Sequence, residues 1–246
     1  MLESTRQRLL DSLAPDAVVL DVGGWADPFE RADWVIDVMP YETRGLYQRE
    51  GWVTRQRDRE RFSERTWIQR DLCSREPFPF ADKSIDFVVC SHTLEDLRDP
   101  VWVCGELNRV AQAGYIEVPS RLEEQSWGVN GPFVGWSHHR WLIDLGDHEI
   151  EFVLKLHSLH GREDQQFPPG FWQELSEQER VQTMWWSQGF SFRERIMLQV
   201  GESDRYLGGF VERELAARSG QRPALRRDAG GRLRRLPGRR RRPRRR

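Results

Sequence analysis

The chain has 246 residues, of which 38% are hydrophobic and 31% charged, with a formal net charge of −1 and three cysteines. That length supports one substantial core and leaves room for an insertion. Three scattered thiols exclude a disulfide framework or a cysteine zinc site, and no run of about eighteen apolar residues is present to span a membrane.

The near-neutral total conceals two regions. Thirteen arginines against one aspartate follow Gly220, a charge of +12, so residues 1–220 carry −13. An acidic body argues against nucleic acid as the main substrate. Only the tail, with Arg239–Arg242 and Arg244–Arg246, offers charge for the phosphates of RNA, DNA or anionic lipid. Its Arg, Pro and Gly composition predicts disorder over residues 221–246. Cys73, Cys90 and Cys104 read as reduced and buried, and the first thirteen residues have no apolar signal-peptide segment, which together point to a cytoplasmic protein.

In chain order, Leu2, Leu9, Leu10 and Leu13 recur at helical spacing ahead of Pro15 and predict a lead-in helix. Val18–Val22 reads as a strand buried on both faces, ending in Asp21, Gly23 and Gly24. A second strand, Trp34–Val38, begins only nine residues after Gly24, too soon for an ordinary crossover helix, so a loop or a very short helix must join the two. Residues 42–66 are charged, with Leu46, Tyr47 and Trp52 as isolated apolar points, and predict a helix or two with a solvated face. Further strands are expected at Thr66–Gln69, Ile85–Cys90 and Tyr115–Val118, with a helix over 101–110 opened by Asp99-Pro100. Polar residues recur at strand ends, and the pattern predicts an α/β fold: a doubly wound, Rossmann-like, mostly parallel sheet with an antiparallel last strand.

The second half is less regular. Residues 123–141 hold Trp127, Trp136, His138, His139 and Trp141 and read as a tryptophan-rich lid or insertion over the sheet edge. Ile150–Leu156 reads as a strand, Phe171–Trp186 as a helix and Phe192–Val200 as the last strand. The resulting division is a single domain over 1–220, with a cofactor half at 14–120 and an acceptor or lid half at 121–200.

Ligands of open parallel sheets bind outside the carboxyl ends of the strands. The glycine pair after Asp21 is therefore the place to look. Its sequence, Gly23-Gly24-Trp25-Ala26-Asp27-Pro28, fails the Gly-x-Gly-x-x-Gly pattern, and a carboxylate there would repel a pyrophosphate. A phosphate-free cationic cofactor such as S-adenosylmethionine suits it better.

The run from Val19 to Asp37, then Asp71, then Phe78-Pro79-Phe80 through Asp86-Phe87-Val88-Val89 to His92-Thr93-Leu94-Glu95, then Asp99-Pro100 and Glu106–Val110, resembles the class I S-adenosylmethionine-dependent methyltransferases, type 11. The resemblance covers about residues 17–120. It implies that Gly23 and Gly24 pass under the cofactor and that Asp21 holds its amino group. Asp37 would accept from the ribose hydroxyls, Asp71 would bind the adenine amino group with Leu72 on the ring, and Ser91 and His92 would lie beside the methionine part. Trp25 stands where the family has a third small residue, and Asp96 where it often has histidine.

Methyl transfer needs a base only when the acceptor must lose a proton. His92, Glu117, His138 and His139 are the candidates, with one of the adjacent histidines facing the site. His92, His138 and His139 with an Asp or Glu lack the His-x-x-x-His spacing of one helix face, so no metal is expected. The acidic, tryptophan-rich second half favours a small-molecule or glycan-type acceptor methylated at oxygen, with Trp127, Trp136 and Trp141 as stacking surfaces. The alternatives are a non-catalytic methyltransferase-like binding module, and a nicotinamide-dependent oxidoreductase, which the failed glycine motif disfavours.

Overall fold

Four short parallel strands flank a buried fifth in the computed structural model, which describes residues 1–51, 57–220, 225–227 and 233–235. The chain begins with α1 (Glu3–Ser12), then β1 (Val19–Val22) and β2 (Trp34–Asp37). A single turn, α2 (Leu46–Arg49), precedes β3 (Trp67–Gln69), β4 (Ile85–Ser91), α3 (Pro100–Val110) and β5 (Ala111–Pro119). After α4 (Arg121–Glu124) come β6 (Trp141–Leu145), β7 (Glu149–Leu154), α5 (Glu177–Arg180), β8 (Val181–Ser187) and β9 (Ser191–Glu194).

The main sheet has the order β3-β2-β1-β4-β5-β8. All pairings are parallel except that of β8 with β5. Strand order reverses between β1 and β4, so the crevice at their carboxyl ends is the topological switch point. A smaller sheet, β6-β7-β9, brings Trp141, Ile143, Ile150 and Phe152 into the same apolar core as Val103 and Leu107 of α3.

The doubly wound expectation holds, with three corrections. The antiparallel edge strand is β8, inside the stretch read as a helix over 171–186. That stretch is a 3₁₀ turn at Phe171–Glu174, the single turn α5 and then a strand. Met184 and Trp186 enter the core on one face of β8, while Trp185 packs on Tyr115 at 4.9 Å on the other. Apolar residues on both faces of a strand erase the period of two that would have distinguished it from a helix. The strand expected over 192–200 is short, ends at Glu194 and lies in the smaller sheet parallel to β7. Residues 42–66 contribute α2 and isolated 3₁₀ turns, with Trp52 outside the described residues.

The helix-free β1–β2 connection is held by side chains instead. Arg6 of α1 is fully buried and pairs with Asp27 at 2.6 Å, with Glu30 and with the Pro28 carbonyl. Asp21 accepts from the Phe29 amide at 2.8 Å, and Asp33 accepts from Val19 N at 2.8 Å. Elsewhere the family-like residues Glu106 and Arg109 have a structural use. Glu106 accepts from Phe78 N, and Arg109 donates to the carbonyls of Phe78 and Phe80, fixing the proline-bounded crossing. Asp99 caps α3 by accepting from Trp102 N, with Pro100 opening the helix.

The three cysteines are free and buried. Among the described residues no helix is long and apolar enough to cross a membrane. The chain divides into two compact units, Met1–Met197 and Leu198–Arg246, a boundary ahead of Gly220. The second unit contains α6 (Glu202–Arg218) and an antiparallel pair, β10 (Leu225–Arg227) with β11 (Leu233–Arg235). The remainder of the tail for which disorder is expected lies outside the described residues.

Two stability measurements test this account. Arg6→Ala leaves Asp27 and Glu30 with a lost buried partner, so urea unfolding should show a loss of about 3–5 kcal/mol. Burial raises the Asp21 carboxyl to about 7. The folded state therefore favours its protonated form, and that stabilisation, complete below the unfolded value near 4, is lost as pH rises through 7. Asp21→Asn, which keeps an acceptor for Phe29 N, should abolish this decline of ~3–4 kcal/mol when unfolding is followed from pH 4 to 8.

Candidate active site

The carboxyl ends of β1, β2, β3 and β4 surround a cavity of ≈ 560 Å³. Gly23, Trp25, Asp37, Asp71, Leu72 and His92 all line it. Asp21, Gly24 and Ser91 instead border a small recess of ≈ 40 Å³ next to it, together with Gly23 and His92. All the cofactor residues expected from sequence thus gather at one edge, in two adjoining spaces.

Gly23 has φ +79°, and a Cβ there would fall 2.1 Å from Thr93 Oγ1. Only glycine allows this backbone at so close a crossing. Gly24 is closed off by a different neighbour: a Cβ would meet Asp21 Oδ2 at 2.3 Å. Trp25 does not plug the cavity. Its indole donates to Thr43 Oγ1 at 3.0 Å, and its carbonyl accepts from Gly45 N at 2.7 Å.

Asp37, buried at the end of β2, accepts from Trp25 N at 3.1 Å and Met39 N at 2.8 Å. Burial raises its carboxyl above the usual range despite those bonds. Asp71 is more open and accepts from Cys73 N at 2.9 Å and from Arg98 at 2.5 Å, which hold its carboxyl low. Leu72 beside it is buried.

His92 sits where the cavities meet, at φ +52°, a strained backbone for a non-glycine residue. Its amide donates to the Glu117 carbonyl, its Nε2 lies 3.1 Å from Glu117 Oε1, and its Nδ1 lies 3.4 Å from Glu95 Oε1. Burial would lower its pKa, but hydrogen bonding to Glu117 and the neighbouring Glu95 carboxylate outweigh burial and raise it to about 9. Glu117 is fully buried on β5, and it also accepts from Tyr115 Oη at 2.5 Å, Ser91 Oγ at 3.3 Å and Leu2 N at 3.1 Å. Burial opposes its ionisation, yet the His92 hydrogen bond and charge, the Met1 ammonium at 3.4 Å and the Tyr115 hydroxyl bring it down to about 2. His92 is therefore a cation and Glu117 an anion at neutral pH, and neither is a free base.

A larger cavity of ≈ 940 Å³ adjoins the first and shares Leu46, Tyr47, His92, Asp96 and His138 with it. Its wall is acidic, with Asp27, Glu50, Glu95, Asp96, Glu123 and Glu177 among its residues. Both His138 and His139 line it, contrary to the expectation that one would turn away; their rings stand 4.5 Å apart. Burial and the His139 charge lower the pKa of His138. For His139 the Glu124 carboxylate, 2.8 Å from Nδ1, overcomes burial and raises it.

Of the three tryptophans read as stacking surfaces, only Trp136 reaches this cavity. Trp141 is buried and donates to the Leu97 carbonyl at 2.7 Å, and Trp127 sits in a bridged turn with Val134. Trp141 of the tryptophan-rich segment thus belongs to the core.

Sequence reasoning missed Glu95, Asp96, Glu123 and Glu124. Glu123 and Glu124 lie on α4, which Ser120 caps immediately after β5 and so places over the carboxyl edge. Glu124 turns to His139 and to Lys155 at 2.6 Å. Glu123 borders the large cavity, and burial raises its carboxyl to about 7. The Ser-x-x-Glu signature at 120–123 was the available signal.

Residues 42–116 match the family model described as a methyltransferase domain. Among solved structures, a SAM-dependent methyltransferase from Aquifex aeolicus is similar at 19% identity, over 47% of this chain and 64% of that one, with a TM-score of 0.32. One from Thermotoga maritima matches at 18% identity, over 51% and 54%, with a TM-score of 0.32. One from Mesorhizobium loti matches at 12%, over 61% and 62%, with a TM-score of 0.33. The match spans less than two thirds of each of these chains. No curated protein matches the sequence. The segment matched by the methyltransferase-domain model, residues 42–116, is under a third of the chain.

Proposed function

We propose that the protein is an S-adenosylmethionine-dependent methyltransferase whose cofactor occupies the ≈ 560 Å³ cavity and whose acceptor enters the ≈ 940 Å³ one. The observation that carries this reading is the convergence of Gly23, Asp37, Asp71 and Leu72, from the ends of three strands, on a space of the size small-molecule sites have. The residues suit the cofactor. Asp37 keeps acceptor capacity beyond its two backbone bonds. Leu72 offers an apolar surface beside Asp71, and the recess by Asp21 offers a carboxyl oxygen to an amino group. When bound, the cofactor supplies an activated methyl group.

The chain's own work is then alignment and proton handling. His92, Tyr47 and Asp96 border both cavities and define the passage between them. His92, held protonated between two carboxylates, donates hydrogen bonds and keeps its ring fixed. Glu123, poised near neutral pH on the acceptor side, is a better base than His92 for removing an acceptor proton. The acidic wall disfavours an anionic acceptor and favours a hydroxylated or cationic small molecule; a glycan-type hydroxyl, methylated at oxygen, fits it. The non-catalytic alternative has no specific observation behind it.

Calorimetric titration with S-adenosylhomocysteine, with NADH as control, tests the reading. Micromolar binding of the former alone is expected, and its absence overturns the proposal. Asp37→Asn, which keeps one acceptor oxygen for the Trp25 and Met39 amides, should weaken that binding at least tenfold with a smaller loss of thermal stability than Asp37→Ala, which leaves both amides without that partner. With an acceptor found by screening, the rate should fall as pH drops below about 7, where Glu123 protonates. Glu123→Gln should lower kcat by about 10²–10⁴-fold.

A further inference from the structure

We propose that Asp96, His138 and His139, with Glu95 beside them, bind a divalent first-row transition cation of the Mn²⁺, Co²⁺ or Zn²⁺ type at the junction of the two cavities. One ligand atom from each of the three side chains lies within 4.8 Å of the other two. Ligands about 2.1 Å from a common ion stand roughly 3–4 Å apart. Asp96 and His138 are exposed, so small side-chain turns close the gap.

The grouping is built into the backbone. Asp96 sits in the turn after β4, where its amide donates to the Thr93 carbonyl. The histidines lie just before β6, and Arg140 N donates to the Glu95 carbonyl at 2.8 Å. With the Trp141 indole on the Leu97 carbonyl, the two segments are stitched side by side. A spacing of some forty residues hid this from any local motif.

Two further observations point to a cation. Glu95 lines the same cavity and is 1% exposed, yet among the described residues its carboxylate oxygens meet only a long ion pair with His92 and no hydrogen bond of good geometry. Buried polar atoms left in that state are costly and rare. His92 Nδ1, at 3.4 Å, is its nearest charged neighbour. Separately, His139 is held at Nδ1 by Glu124, which Lys155 pairs in turn. A histidine fixed at one ring nitrogen by a carboxylate presents the other to a metal in a defined direction. Two imidazoles with carboxylates suit Mn²⁺, Fe²⁺, Co²⁺ or Zn²⁺ better than the all-oxygen shells of Mg²⁺ and Ca²⁺. Asp96, His138 and His139 all line the larger cavity, whose acidic wall concentrates cations at the site. This inference does not depend on the methyl-transfer reading.

The test uses the full chain stripped with EDTA and titrated with Co²⁺ by visible absorption and with Zn²⁺ and Mn²⁺ by calorimetry. One equivalent is expected to bind, with ligand-field bands from mixed nitrogen and oxygen donors. His138→Ala and Asp96→Asn, both at exposed positions that leave folding intact, should each weaken binding at least a hundredfold, and Glu95→Gln about tenfold. His148→Ala, on the exposed β6–β7 turn, should bind as the parent does. Absence of binding at ~1 mM cation, or undiminished binding in His138→Ala and Asp96→Asn, overturns the proposal. Binding of S-adenosylhomocysteine measured in EDTA reports on the cofactor separately, so failure of either reading leaves the other visible.

Discussion

Much of this edge of the molecule depends on one buried carboxylate. Glu117 has no exposure, and a charge in that position persists only because donors from several directions converge on it. Tyr115 comes from its own strand, Ser91 and His92 from the end of β4, and the amide of Leu2 from the segment ahead of α1. The same residue thereby ties α1 to the carboxyl edge of the sheet and fixes the ring of the histidine where two cavities meet. Removing it would leave the His92 ring unanchored and less firmly protonated.

A comparable economy explains the β1–β2 connection. A parallel pair joined without a helix has here only a short apolar stretch of loop, with Phe29 and Ala32 buried against the sheet, and charge holds the rest. Buried Arg6 gathers Asp27, Glu30 and a carbonyl, while Asp21 takes the Phe29 amide. Those bonds commit Asp21 to the fold as well as to the recess it borders, and they explain why Asp27 can stand in a loop where a phosphate-binding chain would have none.

The larger cavity owes its chemistry to the second half of the chain. Short α4, begun by the Ser120 cap, turns Glu123 inward, while the stitched segments at 95–97 and 140–141 set Asp96 against the histidine pair. Desolvation raises Asp96 to about 6 and Glu123 to about 7, while hydrogen bonds and neighbouring charges, acting against burial, bring Glu117 to about 2 and His92 to about 9. Groups spread over such a range can hold charge and exchange protons in one site at neutral pH.

The amino-acid sequence by itself determined the sheet's inner strands, because β1 and β4 are apolar on both faces and need no partner to be recognised. It determined the Asp99-Pro100 helix start through local capping, and the acids and glycines at strand ends through their place after those strands. Only the tertiary structure decided the rest. Strand β8 reads like a helix until Tyr115 and the core claim opposite faces of its tryptophans. Trp141 looks like a ligand surface until Leu97 takes its indole proton. Glu95, Asp96, His138 and His139 have no common motif, because what joins them is hydrogen bonding between segments distant in sequence, and no local pattern encodes such a contact.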